Sequence, residues 1–355
     1  MNVSIIGGGN IGTLTAAELA NKGFDVCVYT SKANSWDGSL EVYNGENHLL
    51  FEVEGITATN NIGEAVEDAN MIIITYPAQL FKKLSKDMDP YVCKNQYIGF
   101  IPGTGGVEFI FNNLVSKGCI LFGLQRVPSV ARLKEVGKSV YNLGKRDALY
   151  VATFQKGYEG FIKNFIENLF DLPCNMLDNY LGITLTPSNP ILHTSRLYSL
   201  FNKQMIYGWN VLFYEEWNDE SSELLIQCDS QVQDLCNVLG VTGVKSLKDH
   251  YESYSVEEMT NKITSIDSLK GLKSPMILTD DGWIPDFSSR YFSTDFPFGL
   301  KVLIEIANVM NVDVSYLEKI WDWYCKTCNP KAFFNLKDFN ISSKKEFEEY
   351  YSLNE

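Results

Sequence analysis

At 355 residues the chain is too long for one ordinary core, so two domains are expected, each with its own apolar interior. Its 45% hydrophobic and 21% charged residues describe an ordinary globular protein. The net charge of −14 excludes a broad basic face for nucleic acid or an anionic membrane and leaves room only for a local anion pocket.

In chain order, "NVSIIGGGNIG" reads as an apolar strand, a glycine turn and a helix opening. The helix "IGTLTAAELANKG" keeps an apolar face and stops at Gly23. Further strands are "DVCVYTS", "ANMIIITYP" ended by Pro77, "QYIGFIPGTGG" and "GCILFGLQRVP". Strands alternating with helices in this way predict right-handed βαβ units and a doubly wound parallel sheet. The texture then changes: "PILHTSRLYSLFNKQMIYGWNVLFYEE", "ESSELLIQCDSQVQDLCNVLG" and "PFGLKVLIEIANVMNVDVSYLEKIWDWYC" carry helical periodicity with few strand signals. The expected division is an α/β Rossmann-type domain over residues 1–178 and an all-α domain over 179–355. The polar "LKDFNISSKKEFEEYYSLNE" reads as a loosely held tail.

The first residues go straight into a strand, and no apolar run approaches the length of a membrane span. With eight scattered cysteines, most inside apolar runs, this predicts a reduced cytoplasmic protein whose cysteines fill core space. Cys325 and Cys328 form a lone C-x-x-C without a second pair, so no metal site is expected.

Gly7, Gly9 and Gly12 supply G-x-G-x-x-G after a strand and at a helix start, the context in which the motif binds a dinucleotide. Gly7 permits the tight turn, Gly9 a close approach to a pyrophosphate, and Gly12 close packing of helix on strand. The backbone of Asn10 and Ile11 adds helix N-terminal N–H groups, which attract phosphate even in an acidic protein. Where NAD-binding folds usually carry a carboxylate after the second strand, this chain has Thr30, Ser31 and Lys32. Two hydroxyls and a lysine suit a 2′-phosphate, favouring NADP over NAD. A solvated turn is the bland alternative.

In "SNPILHTSRLY", Asn189 suits an N-cap and Pro190 a first helical residue. His193 and Arg196 follow at spacings that put all three on roughly one face. The bland account has Asn189 capping, His193 packing and Arg196 solvated. The functional account uses histidine as the side chain best able to pass a proton near neutral pH. A second piece, "RYFSTDFPFGL", holds Arg290, Tyr291 and Asp295 ahead of an apolar helix, where Asp295 could simply cap.

Taken together, these motifs resemble the opine (octopine/nopaline) dehydrogenase family. The resemblance runs over nearly the whole chain, from the N-terminal glycines through "IPGTGG", "GLQRVPSVARL" and "VYNLGKRDALY" to "NPILHT" and "RYFSTDFPFGL". It implies reductive condensation of an amino acid with a 2-oxo acid such as pyruvate, through an imine reduced by a nicotinamide hydride. It also implies His193 as the acid/base, Asp295 as its paired carboxylate and Asn189 as an orienting group. Arg290 would clamp a substrate carboxylate, with Arg196 a second candidate. The expected partners are therefore small molecules. The apolar stretch from Pro297 to Met310 reads as either core or the seam of a homodimer.

Two rivals stand beside this reading. A reductase of the ketopantoate or glycerol-3-phosphate dehydrogenase kind would lean on a lysine such as Lys203. A nicotinamide-binding sensor would have lost the chemistry. His48 and His250 read as a loop residue and a solvated helix end.

Overall fold

A computed structural model describes residues 1–354. Two compact units emerge: Met1–Thr184 together with the chain from Tyr351 onward, and Leu185–Tyr350.

The first unit contains β1 (Asn2–Ile6), β2 (Asp25–Tyr29), β3 (Leu40–Tyr43), β4 (Leu49–Val53), β5 (Thr57–Thr59) and β6 (Met71–Ile74). It continues with β7 (Tyr97–Phe100), β8 (Ile120–Leu124), β9 (Ser129–Glu135), β10 (Ser139–Lys145), β11 (Leu149–Thr153) and β12 (Cys174–Met176). Eight strands form one sheet in the order β12-β11-β8-β7-β6-β1-β2-β5. From β5 to β8 every pairing is parallel, whereas β11 runs antiparallel to β8. Ile5 of β1 sits level with Val28 of β2 on one side and Ile73 of β6 on the other. Central strands of this kind are covered on both faces, which is why Met71–Ile74 is apolar and buried throughout. The strand order reverses between β1 and β6, the topological switch point at whose carboxyl edge a doubly wound sheet opens its binding crevice.

A second sheet, β4-β3-β10-β9, lies over the Asn10–Asn21 helix and has no counterpart in the sequence-based expectation. Its presence explains why that helix is buried from Gly12 through Leu19 rather than along one face. The strands are hard to read because Leu49 and Leu50 are each 51% exposed, which breaks the inward–outward alternation.

The second unit is mainly helical, with its principal helices at Asn189–Phe201, Asp219–Leu239, Val256–Thr264, Lys301–Met310 and Ser315–Cys328. It departs from the all-α expectation in one hairpin, β13 (Met276–Thr279) and β14 (Gly282–Pro285). Asp280 and Asp281 make the two-residue turn between them, and Gly282 at φ +124° opens the returning strand. The Lys301–Met310 helix buries Val302, Leu303, Ile304, Ile306, Ala307 and Met310 within this one chain, so it is core. No helix among the described residues is long and apolar enough to cross a membrane. Cys119, Cys174, Cys228 and Cys236 are buried free thiols, whereas Cys93 is exposed.

The expected loose tail is instead docked. Residues Leu336–Phe339 and Lys344–Asn354 are helical, and Phe347 and Tyr351 are buried; Glu355 lies outside the described residues. The reason is periodicity hidden among charges: Phe347 and Tyr351 are four apart and share a helix face. In the first unit, Tyr351 donates its hydroxyl to Glu108 Oε1 at 2.7 Å, and Thr184 donates to the same oxygen at 2.6 Å. Glu108 is fully buried, and burial pushes its carboxyl up to about 7, against the pull of those two hydroxyls. The folded state therefore holds a proton that the unfolded chain gives up. Stability should fall as pH rises from about 4.5 to about 7 and level off above. Glu108→Gln keeps an acceptor for both hydroxyls and removes this slope. Urea denaturation across that range should show the variant gaining on the parent by roughly 3 kcal/mol at most at alkaline pH. Parallel pH curves for the two proteins would refute the buried-acid assignment.

Candidate active site

The glycine turn leaves β1 with Gly7 at φ +128°, and a Cβ there would meet Thr75 Oγ1 at 2.6 Å. At Gly12 a Cβ would fall 1.7 Å from the Gly7 carbonyl oxygen, so the helix rests directly on the turn. Gly9 is different: a Cβ there would meet nothing within 4 Å. Its open side lies at the N-cap of the Asn10–Asn21 helix, whose first N–H groups have no intrahelical partner and whose first turn carries no acidic residue. Space and donors for a phosphate thus coincide at Gly9, Asn10, Ile11 and Gly12, and these residues fit a dinucleotide. The Asn10 side chain has other work, accepting from Leu133 N at 2.9 Å and tying β9 to the helix start.

After β2, Thr30 is buried, and its Oγ1 accepts from Lys32 N at 3.3 Å. Ser31 and Lys32 are exposed. The nearest following carboxylate, Asp37, is turned to its own loop, accepting from Ser39 N at 3.1 Å and Ser39 Oγ at 2.9 Å. The end of β2 therefore presents hydroxyls and an ammonium, with no carboxylate for a ribose 2′-hydroxyl.

In the second unit, the Asn189–Phe201 helix starts one residue earlier than expected. Ser188 is the N-cap, with φ −145° and ψ −137°, and its carbonyl accepts from Ile191 N and Leu192 N at 3.1 and 2.9 Å. Asn189 is thus the first helical residue and Pro190 the second; Asn189 does not cap, and its side chain is exposed. One turn on, His193 is only 4% exposed. Its Nδ1 lies 2.8 Å from Asp295 Oδ2 and its Nε2 3.1 Å from the Tyr214 hydroxyl. The Tyr291 ring packs beside the imidazole, tilted by 46° with centroids 4.6 Å apart, and Phe213 meets it edge-on at 5.5 Å.

Asp295 reaches the histidine from a π-helical stretch, Tyr291–Leu300, that runs into the Lys301–Met310 helix. Pro297 lies inside this stretch, where its missing N–H suits the widened turns. The helix begins four residues before Asp295, so the carboxylate does not cap it. Gly299 brings the two segments together: a Cβ there would stand 3.1 Å from Pro190. Arg290, at the N-cap of the same stretch, is exposed and makes no hydrogen bond or ion pair among the described residues. Burial pushes the Tyr214 hydroxyl far above a phenol's ordinary value; Tyr291 and the Asp295 carboxylate add to this and the Arg290 charge opposes it.

Residues 176–328 match the family model described as NAD/NADP octopine/nopaline dehydrogenase, alpha-helical domain. Residues 2–116 match a second, the NAD-dependent glycerol-3-phosphate dehydrogenase N-terminus. Tauropine dehydrogenase of Arabella iricolor is 24% identical, covering 90% of this chain and 90% of that one. Octopine dehydrogenase of Pecten maximus is also 24% identical, covering 91% and 89%. A solved octopine dehydrogenase with NADH and L-arginine superposes with a TM-score of 0.81 at 22% identity, covering 100% of this chain and 96% of that one. Residues 176–328 thus match the helical domain of octopine/nopaline dehydrogenases, and over about 90% of its length the chain is similar to tauropine and octopine dehydrogenases.

Within this opine dehydrogenase fold, the expectation for Arg196 changes. Arg196 is 1% exposed and spends its guanidinium internally: Nε donates to the Phe213 carbonyl at 3.1 Å, one terminal nitrogen to the Glu216 carbonyl at 2.7 Å, the other to Ser221 Oγ at 3.1 Å. It is therefore no substrate clamp. Burial lowers its pKa to about 10, which still leaves it charged at neutral pH. Lys203, the lysine that a ketopantoate-type mechanism would need, is an exposed partner of Glu220 at 2.8 Å. Tyr214 was missed by sequence reasoning, because nothing in the aromatic-rich "VLFYEEW" marks one ring among several. Among the described residues no cluster could hold a metal ion.

Arg196→Met keeps the apolar stem and strands two carbonyls and a serine. It should cost about 3 kcal/mol or more in urea denaturation. A loss below about 1 kcal/mol would mean that the guanidinium holds nothing in place.

Proposed function

We propose that this chain is an NAD(P)H-dependent opine dehydrogenase, joining the amino group of an amino acid to a 2-oxo acid such as pyruvate. The net change is condensation with loss of water, then addition of a hydride and a proton to give a secondary amine between two carboxylates. The observation that carries the reading is the His193 Nδ1 to Asp295 Oδ2 contact, 2.8 Å long and largely withdrawn from water, with Arg290 exposed and unpaired among the described residues.

An ionised Asp295 accepts the Nδ1 proton, which fixes the tautomer and leaves Nε2 as the working nitrogen. Nε2 takes a proton as the attacking ammonium becomes an amine, and returns one as the carbinol oxygen departs as water. Asp295 supports the imidazolium between these events. Arg290 can take a substrate carboxylate in two parallel hydrogen bonds, and Asn189, exposed one turn before His193, can orient it. Gly7, Gly9, Asn10, Ile11 and Gly12 would hold the dinucleotide, which supplies the hydride when bound. Thr30, Ser31 and Lys32 favour a 2′-phosphate and hence NADP.

The test is oxidation of NADH and NADPH by the purified chain across 2-oxo acids, each with and without amino acids. Turnover that needs both substrates is the expected result; turnover with an oxo acid alone would make the chain a simple hydroxy-acid reductase. In the productive pairing, His193→Ala and Asp295→Asn should each lower kcat by about a hundredfold or more, with cofactor affinity nearly unchanged. Loss of cofactor binding in step with kcat would assign His193 a packing role. Lys32→Asp with Ser31→Ala should weaken NADPH more than NADH, and an unchanged ratio between the two would remove the 2′-phosphate assignment.

A further inference from the structure

Both ring nitrogens of His193 are engaged by the chain itself, Nδ1 by Asp295 and Nε2 by the Tyr214 hydroxyl. We propose that Tyr214 is a positioning residue for His193, held on Nε2 by a turn that Arg196 ties down. Its chemical role rests on the opine dehydrogenase reading, whereas the contact itself rests on geometry.

A hydroxyl is the one neutral group that serves Nε2 in both protonation states. When the imidazole is neutral, with its proton on Nδ1, the phenol O–H donates to the Nε2 lone pair. When it is imidazolium, Nε2–H donates and the phenol oxygen accepts. The ring therefore keeps a partner on each side before and after a proton transfer, the hydroxyl giving up Nε2 only while the substrate proton moves, and it has no reason to turn between events. Burial keeps Tyr214 a phenol throughout, so it does not compete with His193 as a base.

Tyr214 could not do this from a loose loop. The Phe213 and Glu216 carbonyls bracket it in sequence, and both accept from Arg196. Ser221, bonded to a third guanidinium nitrogen, is in turn bonded to Ser199 at 2.6 Å and Asn218 at 2.7 Å. Trp217 lies beneath the guanidinium at 5.5 Å and parallel to the Tyr214 ring, at 7°. A buried cation with no carboxylate at its donors is costly to keep. This one stands a turn from His193, and all its hydrogen bonds go to residues 213–221. The structure gives it one task, fixing the turn that carries Tyr214.

The chain has three histidines, so ¹⁵N-histidine labelling of the full-length protein resolves His193 directly. In Tyr214→Phe, which removes one oxygen and keeps the ring, the His193 Nε2 resonance should move downfield to that of a nitrogen without a donor. The Nδ1 proton should stay with Asp295. Turnover should fall about tenfold in kcat with KM within about twofold. Arg196→Lys, an ammonium without the planar fork, should move the resonance the same way. An unmoved Nε2 resonance in Tyr214→Phe overturns the proposal, and so does a moved resonance with unchanged kcat. If no pair of oxo acid and amine gives turnover in the parent, the opine reading fails, and the resonance alone still decides the contact.

Discussion

The second unit is organised by a helix that buries more polarity than it can satisfy. His193, Thr194, Ser195, Arg196 and Ser199 are all withdrawn from water in the Asn189–Phe201 helix. The three hydroxyls solve the problem locally, returning to the carbonyls of Pro190, Leu192 and Arg196. An imidazole and a guanidinium are too long and too directional for that. Their partners must come from elsewhere in the chain, and an unpaired buried polar group costs about 1–3 kcal/mol. Asp295, Tyr214 and the carbonyls of Phe213 and Glu216 meet this demand, and each fixes where its own segment runs. The contacts that let the helix be buried are also the contacts that aim its histidine.

Much of the fold was legible because its signals are local. Continuous branched runs announced the parallel sheet, the glycines announced the first turn, and the change to helical periodicity announced the second unit. The small sheet over the Asn10–Asn21 helix was not legible, since β4 exposes Leu49 and Leu50 and β10 does not alternate, leaving β3 and the start of β9 as the only regular signal. The tail misled because its charges outnumber the two aromatic residues that anchor it. The contact between His193 and Asp295 was anticipated from motifs. Tyr214 and the true work of Arg196 were not. Spacing places Arg196 beside the histidine, but only the fold reveals that residues 213–216 return to meet it.

The net charge of −14 is compatible with anionic ligands because the positive potential is supplied in small, fixed places. At the glycine turn it comes from backbone N–H groups, which add no formal charge. On the helical unit it comes from Arg290, which is exposed, while Arg196 is sealed away from any ligand.

The contact between Glu108 and Tyr351 spans 243 residues of sequence. The first unit therefore lacks one of its buried aromatic residues, and one of the donors to its buried acid, until almost the whole of the second unit has been synthesised. On the ribosome, the Rossmann-type portion emerges early yet waits as an incomplete body, with the Glu108 carboxyl short of a partner and the surface destined for Tyr351 uncovered. Its final closure is timed by the arrival of a residue from far downstream. This couples completion of the dinucleotide-binding fold to completion of the helical unit that carries the histidine.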